Sequence, residues 1–567
     1  MIIIRIKSTG EYMNEEPLSS NKNNETTSGD APSSPDTSSS PEVQADTPIT
    51  DAPLAPAKKS KHWAALLVVI VLLVAGITAA LVLTKKDKTA DKNVTAVHKD
   101  IPVFRFGSVA GDTGKLYPEN SGTAVFETSI NAQVYEPLVH YENLTKIVPS
   151  LAQSWKNPDD TTWVFTLKKD IKFHSGKTLT AADVKFSLDE IKKNEDVGGI
   201  FATTIKEVTA INDNEVKIVT DGPDPLLLNR LAYLYIVDST ATKSPDTANG
   251  TGPYVLKPGT EYTATNVKLA AFDGYHGGHV GVREIEYIAY DTEDALLTDI
   301  NSGKLDMAND LSKEGLGKIS STVASPQYIK TNYVDYIRID HSRAGSPVQK
   351  LGVRQAMWES LDQKALLKAN GSEGEVATQI VPRDIPGYDT SIKAPERNTT
   401  KAKADLKEAG YPDGATIQLT YFKPYSEKLA IEIQKQLKEG GITIKLDPQE
   451  EIQDFIAKRK ANQTELTLNA YASDVLDVVD VASATFTGNN LYSNPKVEQL
   501  IAEANKTLDA SKRLATTKEI SRILMKDIAW VPLYTASINS SMTKKNYVLN
   551  RDFYGDLGYY FWKGYSQ

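Results

Sequence analysis

The 567-residue chain contains no cysteine. That absence excludes disulfides, zinc–thiolate and iron–sulfur sites, and a cysteine nucleophile. It also excludes the lipid anchor of bacterial lipoproteins, which needs a cysteine acceptor. Histidine is scarce, at seven residues. His276 and His279 have ligand-like spacing, but the glycines around them (Gly274, Gly277, Gly278) read as a surface loop rather than a metal site. The chain has no G-x-S-x-G elbow, no phosphate-binding P-loop and no H-E-x-x-H helix. Gly250-Thr251-Gly252-Pro253 leads into apolar Tyr254-Val255-Leu256, which fits a turn entering a strand rather than a dinucleotide loop. The carboxylate pairs Asp159-Asp160 and Glu450-Glu451 read as turn caps or solvated groups. An excess of basic charge is also missing. The 64 Lys and Arg against 73 Asp and Glu leave a net charge of −9, which excludes nucleic-acid binding through the overall field.

The chain does have enough apolar residues, 40%, for a real core. Its length suggests about three folding units. Residues 1–57 differ in composition. Ser, Thr, Pro, Asn and Asp dominate from Ser19 to Pro56, and three basic residues face nine acidic ones, so a disordered tail is expected. Met13 is a second candidate start, since the codons of Gly10-Glu11 can spell a ribosome-binding site. Trp63 to Thr84 carries no charge and is flanked by Lys58, Lys59 and Lys61 before and Lys85, Lys86 and Lys88 after. At 1.5 Å per residue that stretch spans about 33 Å, enough to cross a bilayer core. A transmembrane helix over 63–84 and a polar tether over 85–100 are therefore expected. Lysine counts on the two sides do not set its orientation.

Helical and extended patterns interleave through the rest, which predicts an α/β class. Val103-Phe104-Arg105-Phe106 and Trp163 to Leu167 alternate as strands, the latter expected to form a hairpin edge with Ile171-Lys172-Phe173. Thr180 is an N-cap candidate for a helix over Ala181 to Lys193, with Val184, Leu188 and Ile191 on the buried face. Helices are also expected over Ala402 to Ala409, Glu427 to Glu439, Pro495 to Leu508 and Ala510 to Lys526, with a strand over Ile442 to Leu446. Gly410 and Gly440-Gly441 supply stops. Between Ala470 and Asp480, the residues Tyr471, Asp474, Asp477 and Asp480 cluster with little nearby basic charge. Such a segment suits a cationic ligand group, although from the residues alone a solvated acidic loop is the favoured reading.

Several stretches match one family in order. Tyr135-Glu136-Pro137-Leu138-Val139 precedes Pro149-Ser150-Leu151-Ala152-Gln153-Ser154-Trp155 and the run from Phe165 to Gly176. Leu179 to Val184, Gly250 to Tyr254, Val353-Arg354-Gln355-Ala356 and Leu406 to Gly414 follow. Tyr492-Ser493-Asn494-Pro495 and Trp530 to Tyr534 complete the series. Together they resemble the family 5 extracellular solute-binding proteins, the oligopeptide- and dipeptide-binding receptors of ABC importers.

The resemblance implies a two-lobed periplasmic-binding-protein-like clamshell with an extra subdomain. Lobe one takes 101–145, 256–335 and 536–567; the subdomain takes 146–255; lobe two takes 336–535. The chain crosses between lobes near Tyr336 to Asp340 and again after Tyr534. The ligand, a peptide by first choice, binds in the cleft and is passed to an ABC permease; no cofactor and no catalysis are implied. Asp474 falls where peptide-binding relatives pair an aspartate with the peptide amine, and Tyr471 stands where a tryptophan is frequent. The family continues Asp-Pro where this chain has Asp477-Val478. The remaining ligand-site candidates are Asp477, Arg383 for a ligand carboxylate, and Tyr135, Tyr275 and Tyr425 as cleft lining. The expected protein is a single-pass, cell-membrane monomer with its binding domain outside. Oligosaccharide or nickel-complex receptors in the same family, an anchored hydrolase and a peptide sensor stay open as alternatives.

Overall fold

Phe104 and Phe106 point into the core while Arg105 between them stays partly solvated, the alternation of a half-buried strand. A computed structural model describes residues 99–566, except 110–115, 117–124, 144, 195–196, 242–247, 488–490 and 551–559. The expected tail, the Trp63–Thr84 span and nearly all of the tether lie outside the described residues. Among the described residues, no helix is long and apolar enough to cross a membrane.

Strand Phe104–Ser108 lies inside a mixed twelve-stranded sheet, parallel to Glu284–Ala289 on one side and to Met307–Asn309 on the other. The long strand Trp530–Thr543 runs through the middle of this sheet. Its second half pairs with Ala324–Lys330, and its first half with Tyr333–Ile339 and Gly374–Val376. Beyond Tyr333–Ile339 the order continues through Leu466–Ala472, Ala415–Phe422 and Ile442–Gln449. The ladder thus changes partners at Thr331-Asn332, where the Thr331 hydroxyl donates to Ala536 O at 2.7 Å.

A separate antiparallel sheet has the order Ala152–Asp159, Thr162–Leu167, Glu215–Thr220 and Ile205–Asn212. The expected hairpin with Ile171-Lys172-Phe173 does not form. Thr162–Leu167 is an inner strand, bonded on both sides. Asp170, at φ 62°, turns the chain away, and Ile171 and Phe173 are buried by packing instead of by strand pairing.

The helix at 181 spans Ala181–Ile191. Asp183 accepts from both the Thr180 backbone N–H and its hydroxyl at 3.0 Å, so the first turn is tied to its cap. Val184, Leu188 and Ile191 are buried as their spacing predicts. The helix expected from Glu427 starts earlier, at Lys423, because Pro424 in the first turn needs no N–H partner. The one expected to run to Leu508 stops at Ala504. Gly410 (φ 96°) and Gly441 (φ 92°) take the left-handed conformation after their helices.

Two large apolar cores result. One gathers Phe104, Phe106, Tyr135, Tyr254, Tyr287 and Phe561. The other joins side chains of the small sheet region, such as Tyr141, Leu227 and Leu231, to Val475, Leu476, Val478 and Trp530. The acidic segment picked out in the sequence is therefore docked against the small-sheet region by its own apolar residues.

Candidate ligand site

Strand Leu466–Ala472 delivers the chain to Ser473 and Asp474, and helix Val478–Phe486 begins four residues after Asp474. The connection is tight. Leu476 sits at φ 53°, a conformation unfavourable for a branched side chain, and is held there by burial. Val475 O accepts from Asn229 Nδ2 at 2.8 Å and from the Tyr141 hydroxyl at 3.4 Å. Asn332, at the ladder's switch point, donates from Nδ2 to Ser473 O at 3.2 Å. Its Oδ1 is buried and has no donor.

The three aspartates have different roles. Asp477 is 1% exposed, caps the helix through Val479 N at 2.8 Å, and receives both terminal nitrogens of Arg513 at 2.6 and 2.9 Å. Its carboxylate is thus committed to the fold, which answers its candidacy as a ligand group. Asp480 Oδ2 accepts from Asp474 N at 2.7 Å and from Ser473 Oγ at 3.0 Å. Burial, then the charge of Asp474, pushes Asp480 up to about 7. Burial alone pushes Asp335, just past the switch point, up to about 7 as well. The Tyr141 phenol is raised well above its ordinary range by burial and stays neutral.

Tyr471 is on the same strand, opposite Val334 and half-buried. Arg383 lies nearby in the loop that packs on the start of the same helix, where Val478 N donates to Pro386 O at 3.2 Å. Its guanidinium stands 5.6 Å from the centre of the Tyr388 ring, and it lines a cavity of about 300 Å³ with Lys330, Glu375, Asp384, Tyr388 and Thr535. Lys330 and Glu375 pair there at 2.8 Å. Gly387 holds this loop against the helix at φ 97°, and a Cβ there would come within 2.4 Å of Val478. We expect Gly387→Ala to destabilise the protein by about 2–3 kcal/mol in chemical denaturation, from overpacking and backbone strain together. An unchanged midpoint would show that the loop moves freely.

The other predicted tyrosines are elsewhere. Tyr135 is 1% exposed and donates to Leu116 O at 2.9 Å within a core, so it is a packing residue, not an accessible lining one. Tyr275 donates to Glu136 Oε1 at 3.2 Å and meets Trp562 edge-on. Tyr425 is 47% exposed, against Phe422 on the first turn of its helix. His276 and His279 face different carboxylates, Glu136 at 2.8 Å and Asp100 at 2.7 Å. The structure therefore places Tyr471, Asp474 and Asp477 on one strand-to-helix connection, with Arg383 on a loop that bonds the start of the same helix through Pro386 O, while Tyr135 and Tyr275 pack with Leu116, Glu136 and Trp562 and Tyr425 with Phe422. Asn332, Tyr141 and Asn229 join the site without any sequence signal, since each meets it only through the tertiary fold.

Comparison with known proteins gives the family and the fold. Residues 146–493 match the family model described as bacterial extracellular solute-binding proteins, family 5 Middle. The probable D,D-dipeptide-binding periplasmic protein DdpA of Escherichia coli is 25% identical over 451 residues, covering 73% of this chain and 86% of that protein. The glutathione-binding protein GsiB of Salmonella paratyphi A is 26% identical, covering 72% and 85%. Among solved structures, the ABC transporter substrate-binding protein CtaP of Listeria monocytogenes superposes with a TM-score of 0.72 at 19% identity, covering 82% of this chain and all of that one. The mixed α/β, periplasmic-binding-protein-like fold follows from that match.

Proposed function

Because this chain belongs to family 5 of the bacterial extracellular solute-binding proteins, we propose that it is a membrane-tethered receptor that captures a peptide outside the cell and presents it to an ABC import permease. Members of this family are substrate receptors for ABC importers, not enzymes. The observation that carries the peptide reading is the Asp474–Asp480 pair, two neighbouring carboxylates next to a loop that carries a guanidinium, Arg383. A peptide carries an ammonium at one end and a carboxylate at the other. Asp474 would take the first through charge-assisted hydrogen bonds, and Arg383 the second through a two-pronged one. Tyr471 would flank the ammonium end. The relatives named for a D,D-dipeptide and for glutathione support the same ligand class.

The two halves of the large sheet, meeting at Thr331-Asn332 and Tyr534 to Ser537, would be the lobes, closing on the ligand about those two strand crossings. Residues 146–255 would be the extra subdomain. Trp63–Thr84 would anchor the protein, and the polar stretch after it would let the receptor reach its permease.

The test is to purify the full chain gently in detergent, release bound small molecules by mild denaturation, and identify them by mass spectrometry. Peptides are expected from the wild type. Sugars or metal complexes in their place, with no rise in melting temperature on adding peptides, would overturn the peptide assignment.

A further inference from the structure

We propose that Asn332 is a positioning residue that couples ligand capture to lobe movement, by tying the hinge segment to the peptide unit that presents Asp474. This rests on the reading of Asp474 as the ammonium site and of the two sheet halves as lobes. Strands Tyr333–Ile339 and Leu466–Ala472 pair from Ile339 opposite Leu466 to Tyr333 opposite Ala472. The next pair in register would be Asn332 and Ser473. There a side chain takes over from the backbone, and Asn332 Nδ2 donates to Ser473 O at 3.2 Å. Asn332 lies where the chain passes from one half of the sheet to the other. Its neighbour Thr331 clasps the second crossing strand through Ala536 O at 2.7 Å.

The Ser473–Asp474 peptide unit is thereby held at both ends. Asn332 takes its carbonyl, and its N–H donates to Asp480 Oδ2 at 2.7 Å. Turning this unit re-aims the Asp474 side chain that follows it. A backbone ladder bond here would break once the dihedrals of 331–332 change. A side-chain amide has two torsions of its own, so it keeps its bond while the backbone turns. On the far side of the loop, Val475 O is fixed by Asn229 and Tyr141, which concentrates the movement at Ser473-Asp474. The second observation is the other half of the amide. Asn332 is 5% exposed, and its Oδ1 is buried without a donor among the described residues. Packing alone does not select such a group, because leucine has a similar shape and leaves no buried acceptor. The amide is there for its N–H. A ligand shifts the balance between lobe angles only through groups whose setting differs between them. The Asn332 tie makes Asp474 one of those groups.

The experiment has a ligand-free arm and a binding arm, both on the full chain in detergent. The chain has no cysteine, so a dye pair goes only where cysteines are introduced. Asp294→Cys and Lys407→Cys place the dyes on exposed positions of helices Glu293–Asn301 and Thr399–Glu408, one in each lobe. This background is compared with and without Asn332→Leu. Without ligand, amide hydrogen exchange of residues 473–476 should be about tenfold faster in the Leu variant. The spread of dye separations should widen as well. If either stays as in wild type, the proposal is overturned. Exchange that quickens evenly over the whole of lobe two marks a mere packing residue and also overturns it. In the binding arm, trialanine should narrow the wild-type dye separations to one value. The variant should bind it about tenfold more weakly and show a smaller shift even at saturation. An equal shift at saturation overturns the proposal. Failure of trialanine to bind either protein sinks the peptide reading instead, and the ligand-free arm then decides the proposal by itself. If Asn332→Leu does not fold, Asn332→Ala is measured in its place, with the same outcomes.

Discussion

Replacing Asp474 by alanine is expected to weaken peptide binding about 100-fold, the equivalent of ~3 kcal/mol for losing a charge-assisted hydrogen bond. Asp474 is half-buried at the end of a central strand, and its own backbone N–H is held by Asp480, so the carboxylate is presented by a braced loop rather than a mobile one. The loss should be specific to the amine end. Acetylating the amino group of the peptide should reduce wild-type binding by a similar factor and add little further loss in the variant. Isothermal titration with both peptides on both proteins closes this cycle. Unchanged affinity for the free-amine peptide in Asp474→Ala would place the ammonium elsewhere. The fold should tolerate the change, because the segment is anchored by Val475, Leu476 and Asp477 rather than by Asp474.

Replacing Asp477 by alanine should instead cost stability, about 3–5 kcal/mol, because it strands a buried guanidinium. Arg513 is 8% exposed, and its Nε already donates to Ala504 O at 3.1 Å, so it cannot swing out to water without giving up that bond as well. The same substitution removes the cap on Val479 N. A drop in melting temperature on the order of 10 °C is expected. The double variant Asp477→Ala with Arg513→Met should recover part of it, since an apolar side chain leaves no unpaired charge. A small effect in the single variant would mean that water reaches Arg513. These two aspartates, three positions apart, thus separate function from folding: one variant should lose ligand and keep its stability, and the other should lose stability first.

The sequence did not distinguish them. Asp474, Asp477 and Asp480 read as one acidic cluster, and the partner that removes Asp477 from it is 36 residues away, on another helix. Asn332 is 141 residues from the Ser473 carbonyl it bonds. Tyr135 read as cleft lining from its place in a motif, and it is buried because neighbouring core aromatics close over it. By contrast, the helix at Ala181 was legible in its Thr180–Asp183 cap and its buried face at Val184, Leu188 and Ile191, though it ends at Ile191 rather than Lys193, and the helix Ala510–Lys526 was legible to both ends. Caps and helical periodicity act over three or four residues, so the information is local. The inner strand Thr162–Leu167 shows the opposite case. Its alternation was visible, but its partners were not, since pairing depends on which distant strands share its sheet.

The sequence by itself determined the absence of thiol chemistry, the charge-free stretch Trp63–Thr84 and the ordered motif series that marks the family. These are properties of composition and order, and no contact is needed to define them. Only the tertiary structure decided which aspartate pairs with Arg513, which one faces a like charge, and that Asn229, Tyr141 and Asn332 close around the loop between them. Coulomb energy and hydrogen bonding depend on distances in space and on the water that burial removes. Both are set only when strands and helices far apart in the chain have packed together.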